Sequence, residues 1–143
     1  MIRHILVEEP LTHSAIGAFF EVYNTLGFGF LEIVYEMALE LELRERGHQV
    51  AREVWVPVMC KGHELCKQRL DMIVDGKLVL EIKATPDLPK TGGRQLQNYL
   101  RATSLPVGLL FHFGAEPNFH RFVGPQPVPQ ASRTEGVITD DTD

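Results

Sequence analysis

The chain has few of the residues that mark a secreted, membrane-bound or strongly cationic protein. Its 143 residues include only two cysteines, Cys60 and Cys66, which is no disulfide framework. A reducing cytoplasm is the compartment expected from that usage. No run of about 18 apolar residues occurs, so no membrane-spanning helix is expected. Met1-Ile2-Arg3-His4 leads into Glu8-Glu9-Pro10 and not into the apolar stretch of a signal peptide. Positive charge is also scarce: 14 Lys and Arg face 19 Asp and Glu, a net of -5. A protein that held nucleic acid chiefly by electrostatics would be basic.

The distribution of the charge weakens that last exclusion. From Gly124 onward, Pro125, Pro127 and Pro129 deny the chain regular hydrogen bonding, and few large apolar groups follow. Residues 125–143 read as a mobile acidic tail behind one domain, residues 1–124. The tail holds Glu135, Asp140, Asp141 and Asp143 against Arg133, a net of -3, which leaves only -2 on the body. A near-neutral body can carry a local basic groove. Its 44% hydrophobic and 23% charged content is that of a globular domain with a core of its own.

Periodicity predicts a helix over 12–26, capped by Thr12 or Ser14, with Ile16, Phe19, Phe20, Val22, Tyr23 and Leu26 on an apolar face. Gly27-Phe28-Gly29 breaks it. A second helix is expected over 31–46, with Leu31, Val34, Tyr35, Ala38 and Leu41 as its stripe and the glutamates from Glu36 to Glu45 on a solvated face. Strands follow over 50–59, 67–74 and 77–84, then a helix over 94–103 and strands over 107–113 and 119–123. The order ααβββαββ indicates an α+β (α/β three-layer) domain with a mixed sheet.

The segment from Asp71 to Lys83 carries the chemistry. A two-residue turn at Asp75-Gly76 would set Asp71 opposite Leu80 and away from Glu81. A three-residue turn with Gly76 left-handed instead places Leu70, Met72, Val74, Leu78, Leu80 and Ile82 on one apolar face. Asp71, Glu81 and Lys83 then share the other. Carboxylates on adjacent strands repel unless a cation or a proton lies between them. Hard oxygen ligands suit Mg²⁺ or Mn²⁺, and a nearby lysine can orient or help deprotonate a metal-bound water, or stabilise phosphate charge. The bland alternative is a surface hairpin with one salt bridge.

With these residues in place, the chain resembles the PD-(D/E)XK nuclease superfamily and, within it, the GxxExxY family of small nucleases. The naming motif reads Gly29-Phe30-Leu31-Glu32-Ile33-Val34-Tyr35. Arg69-Leu70-Asp71, Val79-Leu80-Glu81-Ile82-Lys83-Ala84, Gln95-Leu96-Gln97-Asn98-Tyr99-Leu100 and Val107-Gly108-Leu109-Leu110 follow in order. The resemblance covers roughly residues 5–123, and its Gln-x-x-x-Tyr helix is similar to the lambda-exonuclease-like branch. It implies a restriction-endonuclease-like mixed sheet flanked by helices and a Mg²⁺- or Mn²⁺-dependent phosphodiesterase. Asp71, Glu81 and the backbone carbonyl of Ile82 would be the metal ligands and Lys83 the catalytic lysine. Glu32 and Gln95 would place metal or water, and Tyr99 would meet the substrate. The implied partner is nucleic acid, DNA before RNA, with no membrane and with a homo-oligomer left open. His112 stands where relatives commonly have Asn, and Gly92-Gly93 where a His is common.

Rival readings are a catalytically silent nucleic-acid- or protein-binding module on the same fold, or an oligomer whose buried acids are structural. Glu32 and Tyr35 by themselves read as an exposed acid beside a core aromatic, and Gln95 and Tyr99 as a surface amide above a packed ring. Cys60 and Cys66 enclose His63 without a second ligand pair, so ordinary thiols are expected rather than zinc. No GxSxG supports a serine hydrolase.

Overall fold

The computed structural model describes residues 8–125. The expected acidic tail therefore lies, apart from Pro125, outside the described residues. The elements are α1 (Glu9–Leu26), α2 (Glu32–Glu45), β1 (Val50–Cys60), β2 (His63–Val74), β3 (Leu78–Lys83), α3 (Gly92–Thr103), β4 (Val107–Phe113) and β5 (Pro117–Val123). They form one sheet in the order β1-β2-β3-β4-β5. The β3–β4 pair is parallel and joined through α3, and the other pairs are antiparallel. This is the α+β architecture with a mixed sheet that the element order implied.

The sheet separates two apolar layers. On one face α1 and α2 cover Met72, Val74, Leu78, Leu80, Ile82, Leu109 and Phe111. Phe19 stacks on Phe111 at 4.4 Å between ring centres, and Tyr35 stacks on Phe113 at 4.1 Å. On the other face Leu96 and Leu100 of α3 cover Val79 and Leu110. Gly108 lets α3 approach, since a Cβ there would lie 2.9 Å from the Leu96 side chain.

Several local expectations change. Neither Thr12 nor Ser14 caps α1. The helix starts earlier, behind Glu8, with Pro10 in its first turn, where a missing N–H costs nothing. Thr12 is buried and donates its hydroxyl to Glu9 O. On α2 the buried stripe is Tyr35, Glu36, Leu39 and Leu43, while Leu31 and Leu41 are exposed. Tyr35 is buried as expected, but the helix is rotated about it, so that Glu36, Leu39 and Leu43 face inward in place of Leu31 and Leu41.

The β2–β3 connection is the three-residue turn. Met72 pairs with Leu80, Ile73 with Val79 and Val74 with Leu78, leaving Asp75, Gly76 and Lys77 in the turn, with Gly76 at φ 67°. Leu70 does not join the apolar face expected for it. It packs with Val79, Leu96 and Leu100 on the α3 side. The reason lies in β1 and β2 together. The β1–β2 ladder runs Val50↔Val74, Ala51↔Ile73 and Arg52↔Met72, then resumes at Val54↔Leu70, skipping Glu53 and Asp71. Glu53 has φ 55°, a left-handed conformation that costs a non-glycine residue about 1–2 kcal/mol. Across this break both strands change face: Val50, Met72 and Val74 belong to the α1–α2 layer, Val54, Val56 and Leu70 to the α3 layer. The outer arm of the hairpin thus turns over at Asp71.

Candidate active site

Asp71 sits where the sheet opens. Its partner on β1 is missing from the ladder, and the β2–β3 pairing ends one residue before it. Its carboxylate takes over the vacant position, and Oδ2 accepts the Ile82 backbone N–H at 2.8 Å. The break in the ladder therefore aims a carboxylate into the opening and fixes it there.

Helix α2 brings two more acids. One carboxylate oxygen from each of Glu32, Glu36 and Asp71 lies within 4.8 Å of the others. Glu32 and Glu36 are one helical turn apart, so they share a face. The GxxExxY segment holds that face in register. Gly29 at φ 110° turns the chain into the helix, and the Tyr35 hydroxyl donates to Gly27 O at 2.7 Å and accepts the Phe30 N–H at 3.3 Å. Tyr35 is a fully buried core aromatic, and by tying down the loop it positions Glu32.

Glu81 and Lys83 complete the group from β3, with Lys83 Nζ 3.2 Å from Glu81 Oε2. Asp71, Glu81 and Glu36 are each at most 7% exposed. Burial is the main cause that raises the pKa of Glu81 to about 7, followed by the Asp71 charge, against the pull of Lys83. Glu36 is also raised to about 7, first by burial and then by Asp71. Asp71 is raised by burial despite the Ile82 N–H, and Glu32 by burial and Asp71. Burial pulls the Lys83 pKa down, but attraction to Glu81, Glu32 and Asp71 outweighs it and the value rises. The acids around it thus favour the charged form of Lys83.

Cations surround the acids at a distance. Arg52 Nε forms a long ion pair with Glu36 Oε1 at 3.6 Å, too long for a hydrogen bond, and both atoms are buried with no hydrogen-bond partner among the described residues. Arg69 bonds to Glu53 at 3.2 Å and lowers the pKa values of Glu32, Glu36 and Asp71. Glu81 Oε1 is likewise buried with no hydrogen-bond partner among the described residues. Buried acids with spare oxygen atoms are costly unless a cation or proton joins them. The donor set is all hard oxygen and fits Mg²⁺ or Mn²⁺.

Of the residues singled out in the sequence, Glu32, Asp71, Glu81, Ile82 and Lys83 come together. Tyr99 is close enough that Glu81 and Asp71, after burial, raise its pKa. Gln95 is solvent-exposed on α3. Glu36 is the residue that sequence reasoning misplaced. It was expected on a solvated face and is instead the most buried acid of the site. Its spacing from Glu32 was the available signal. His112, paired with Lys83 in the β3–β4 ladder, bonds through Nε2 to Thr85 O at 2.7 Å and secures the loop after β3. Cys60 and Cys66 are free, exposed thiols.

The family model for the PD-(D/E)XK nuclease superfamily matches residues 9–122. The chain belongs to the PD-(D/E)XK nuclease superfamily. Its members are usually hydrolytic nucleases that use divalent metals. Glu81-Ile82-Lys83 on β3 and the acid-lined opening beside it lie inside the span matched to the PD-(D/E)XK superfamily. The solved structure of SSO0001 matches 90% of the chain at 23% identity, with a TM-score of 0.53. The chain spans 63% of that protein's length, and the likeness bears on the fold. No match is found among curated proteins. Among the described residues no helix is long and apolar enough to cross a membrane.

A second polar cluster looks catalytic by residue type. Ser14 Oγ is 2.7 Å from His48 Nε2, and His48 Nδ1 is 2.7 Å from Asp75 Oδ2. Ser14, however, lies inside α1, where the amides are committed to the helix ladder, so no free N–H pair adjoins it to hold an oxyanion. The chain of bonds instead ties α1 to the turn after α2 and to the β2–β3 turn.

Proposed function

We propose that this PD-(D/E)XK domain is a divalent-metal-dependent nuclease of the GxxExxY type, hydrolysing phosphodiester bonds of DNA or RNA. The observation that carries the reading is the convergence of Glu32, Glu36 and Asp71 oxygens within 4.8 Å beside the Lys83–Glu81 pair. Asp71, Glu81 and the Ile82 carbonyl would hold Mg²⁺ or Mn²⁺, with Glu32 and Glu36 placed to share the ion or its hydration shell. A bound ion supplies Lewis acidity toward the phosphate and an acidified water for attack.

The remaining chemistry belongs to the chain. Lys83, charged and held by Glu81, would place the attacking water by a hydrogen bond and offset negative charge growing on the phosphoryl oxygens. Asp71 is fixed by the Ile82 amide and needs no reorganisation when substrate arrives. Arg69, exposed and paired with Glu53, would be free to turn toward a phosphate of the strand. Tyr99 would meet the nucleotide beside the cleaved bond, with Gln95 one turn away on the same helix.

The test is cleavage of end-labelled DNA and RNA with Mg²⁺ or Mn²⁺, with Lys83→Ala as the control. Metal-dependent cleavage that Lys83→Ala abolishes is expected. Full activity in Lys83→Ala overturns the assigned mechanism, and binding without cleavage by the intact chain favours the silent binding module.

A further inference from the structure

On the α3 face of the sheet, a cavity of about 430 Å³ lies between α3 and the outer arm of the β1–β2 hairpin. It exists because the hairpin turns over at Glu53 and Asp71, which carries Val56 and Gln68 under α3. Val56 and Val58 form an apolar wall, and Tyr99 presents its ring. Gln68 and Asn98 add amides and Arg101 a guanidinium. Arg101 makes no salt bridge among the described residues. The volume is in the range of small-ligand sites, and the lining has their usual make-up: mostly apolar, with a few polar groups able to fix an orientation.

Tyr99 links the cavity to the acid site: it packs against the layer of Val56, Leu70 and Val79, Asp71 directly follows Leu70 on β2, and Glu81 is the next residue after Val79 on the same face of β3. A group in the cavity would therefore lie next to a phosphate drawn to a cation at Asp71 and Glu81. Three features choose the occupant. An aromatic ring stacks on a flat π face, two amides match the donor and acceptor edge of a base, and a guanidinium with no salt bridge among the described residues matches a neighbouring phosphate.

We propose that the Tyr99–Gln68–Asn98–Arg101 cavity receives one unstacked nucleobase next to the cleaved phosphate, so that the substrate is single-stranded or splayed at that nucleotide. This rests on the nuclease reading for the position of the phosphate, but base capture itself is separable from cleavage. A base in an intact duplex is stacked on both sides and cannot enter a side cavity without being flipped out, at a cost of a few kcal/mol. A single strand enters without that cost. Ala102, exposed on the wall formed by α3, gives a way to fill the cavity without touching the acids.

The experiment measures binding of fluorescein-labelled single-stranded and duplex DNA by anisotropy, with Ca²⁺ in place of Mg²⁺ to block turnover. The intact protein should bind the single strand about tenfold more tightly or better, the scale of one base stacked on an aromatic ring. Ala102→Trp should erase that preference while Mn²⁺ binding by calorimetry stays unchanged. Asn98→Ala, a milder change, should reduce it several-fold. On the intact protein, moving one abasic nucleotide along the single strand should weaken binding sharply at one position only. Equal affinity for both DNAs, an unchanged preference in Ala102→Trp, or no abasic position effect overturns the proposal. A single strand captured as described but never cleaved with Mn²⁺ supports the pocket and refutes the nuclease reading. Cleavage with no pocket effect does the reverse.

Discussion

Asp71 and Asp75 stand near each other on the same hairpin, and the fold gives them opposite electrostatics. Asp71 is buried at a break in two ladders, and its pKa is raised, mainly by burial. Asp75 lies in the turn. Burial is the largest single influence there too and pulls its pKa up. The Gln49 N–H at 2.8 Å and His48 at 2.7 Å together outweigh it, and the value falls. One carboxylate is supplied with donors and so stabilises the fold. The other is crowded by Glu32, Glu36 and Glu81 and short of donors, so it remains able to take a cation. Strain and unmet polar groups gather at the second, as is usual where a site is built at some expense to stability.

That contrast is broken most directly by Asp71→Asn. The amide can still accept the Ile82 N–H but offers the metal no charge. We expect Mn²⁺ binding to weaken by more than the roughly 10–100-fold that losing an outer-shell partner costs, and cleavage to vanish. Calorimetry with a single-turnover assay reads both. Next comes Lys83→Ala, where the rate should drop by about 10²–10³ with Mn²⁺ affinity nearly retained, because a cation acting on developing charge is felt in the transition state. Equal losses in binding and rate would make Lys83 a mere partner of Glu81.

The pH dependence follows, and its sign separates the two regions. Glu36 and Glu81 have pKa values raised from 4.5 to about 7, so the folded protein holds their protons more tightly than the unfolded chain. Their stabilising contribution is fully present below pH 4.5 and is lost as pH rises through about 7. Asp75 acts oppositely: its contribution is present above the unfolded value of 3.8 and is lost as pH falls through its lowered pKa. The melting temperature of the metal-free protein should therefore fall from weakly acidic to neutral pH. Mn²⁺ should raise it more at about pH 8 than at about pH 5.5, since metal and proton compete. Glu36→Gln should flatten the decline.

The smallest effect belongs to the strut. Asp75→Ala removes the acceptor of His48 and of the Gln49 amide in a partly exposed turn, and should cost about 1 kcal/mol in urea melts. Cleavage and Mn²⁺ binding should be untouched. A loss of activity in Asp75→Ala would mean that the two ends of the hairpin are coupled.

Element order, the three-residue turn at Asp75-Gly76-Lys77 and the grouping of Asp71, Glu81 and Lys83 were legible in the sequence. They depend on local periodicity and on alternation along neighbouring strands, which act over a few residues. The apolar run Val107–Phe113 likewise read as a strand, and as β4 it is buried throughout. What no local rule supplied was the turnover of the hairpin at Glu53 and Asp71. Alternation assigned Leu70 to the face of Met72, and a single left-handed residue in the neighbouring strand sent it to the other. Nor could periodicity decide the rotation of α2. Glu36 reads as one of several surface glutamates until Tyr35 is seated against Phe113 and the helix lies over the opening in the sheet. The sequence determined which residues alternate and which charges exist. Only the tertiary structure decided which of those charges lose their water, because desolvation depends on every layer that packs above them.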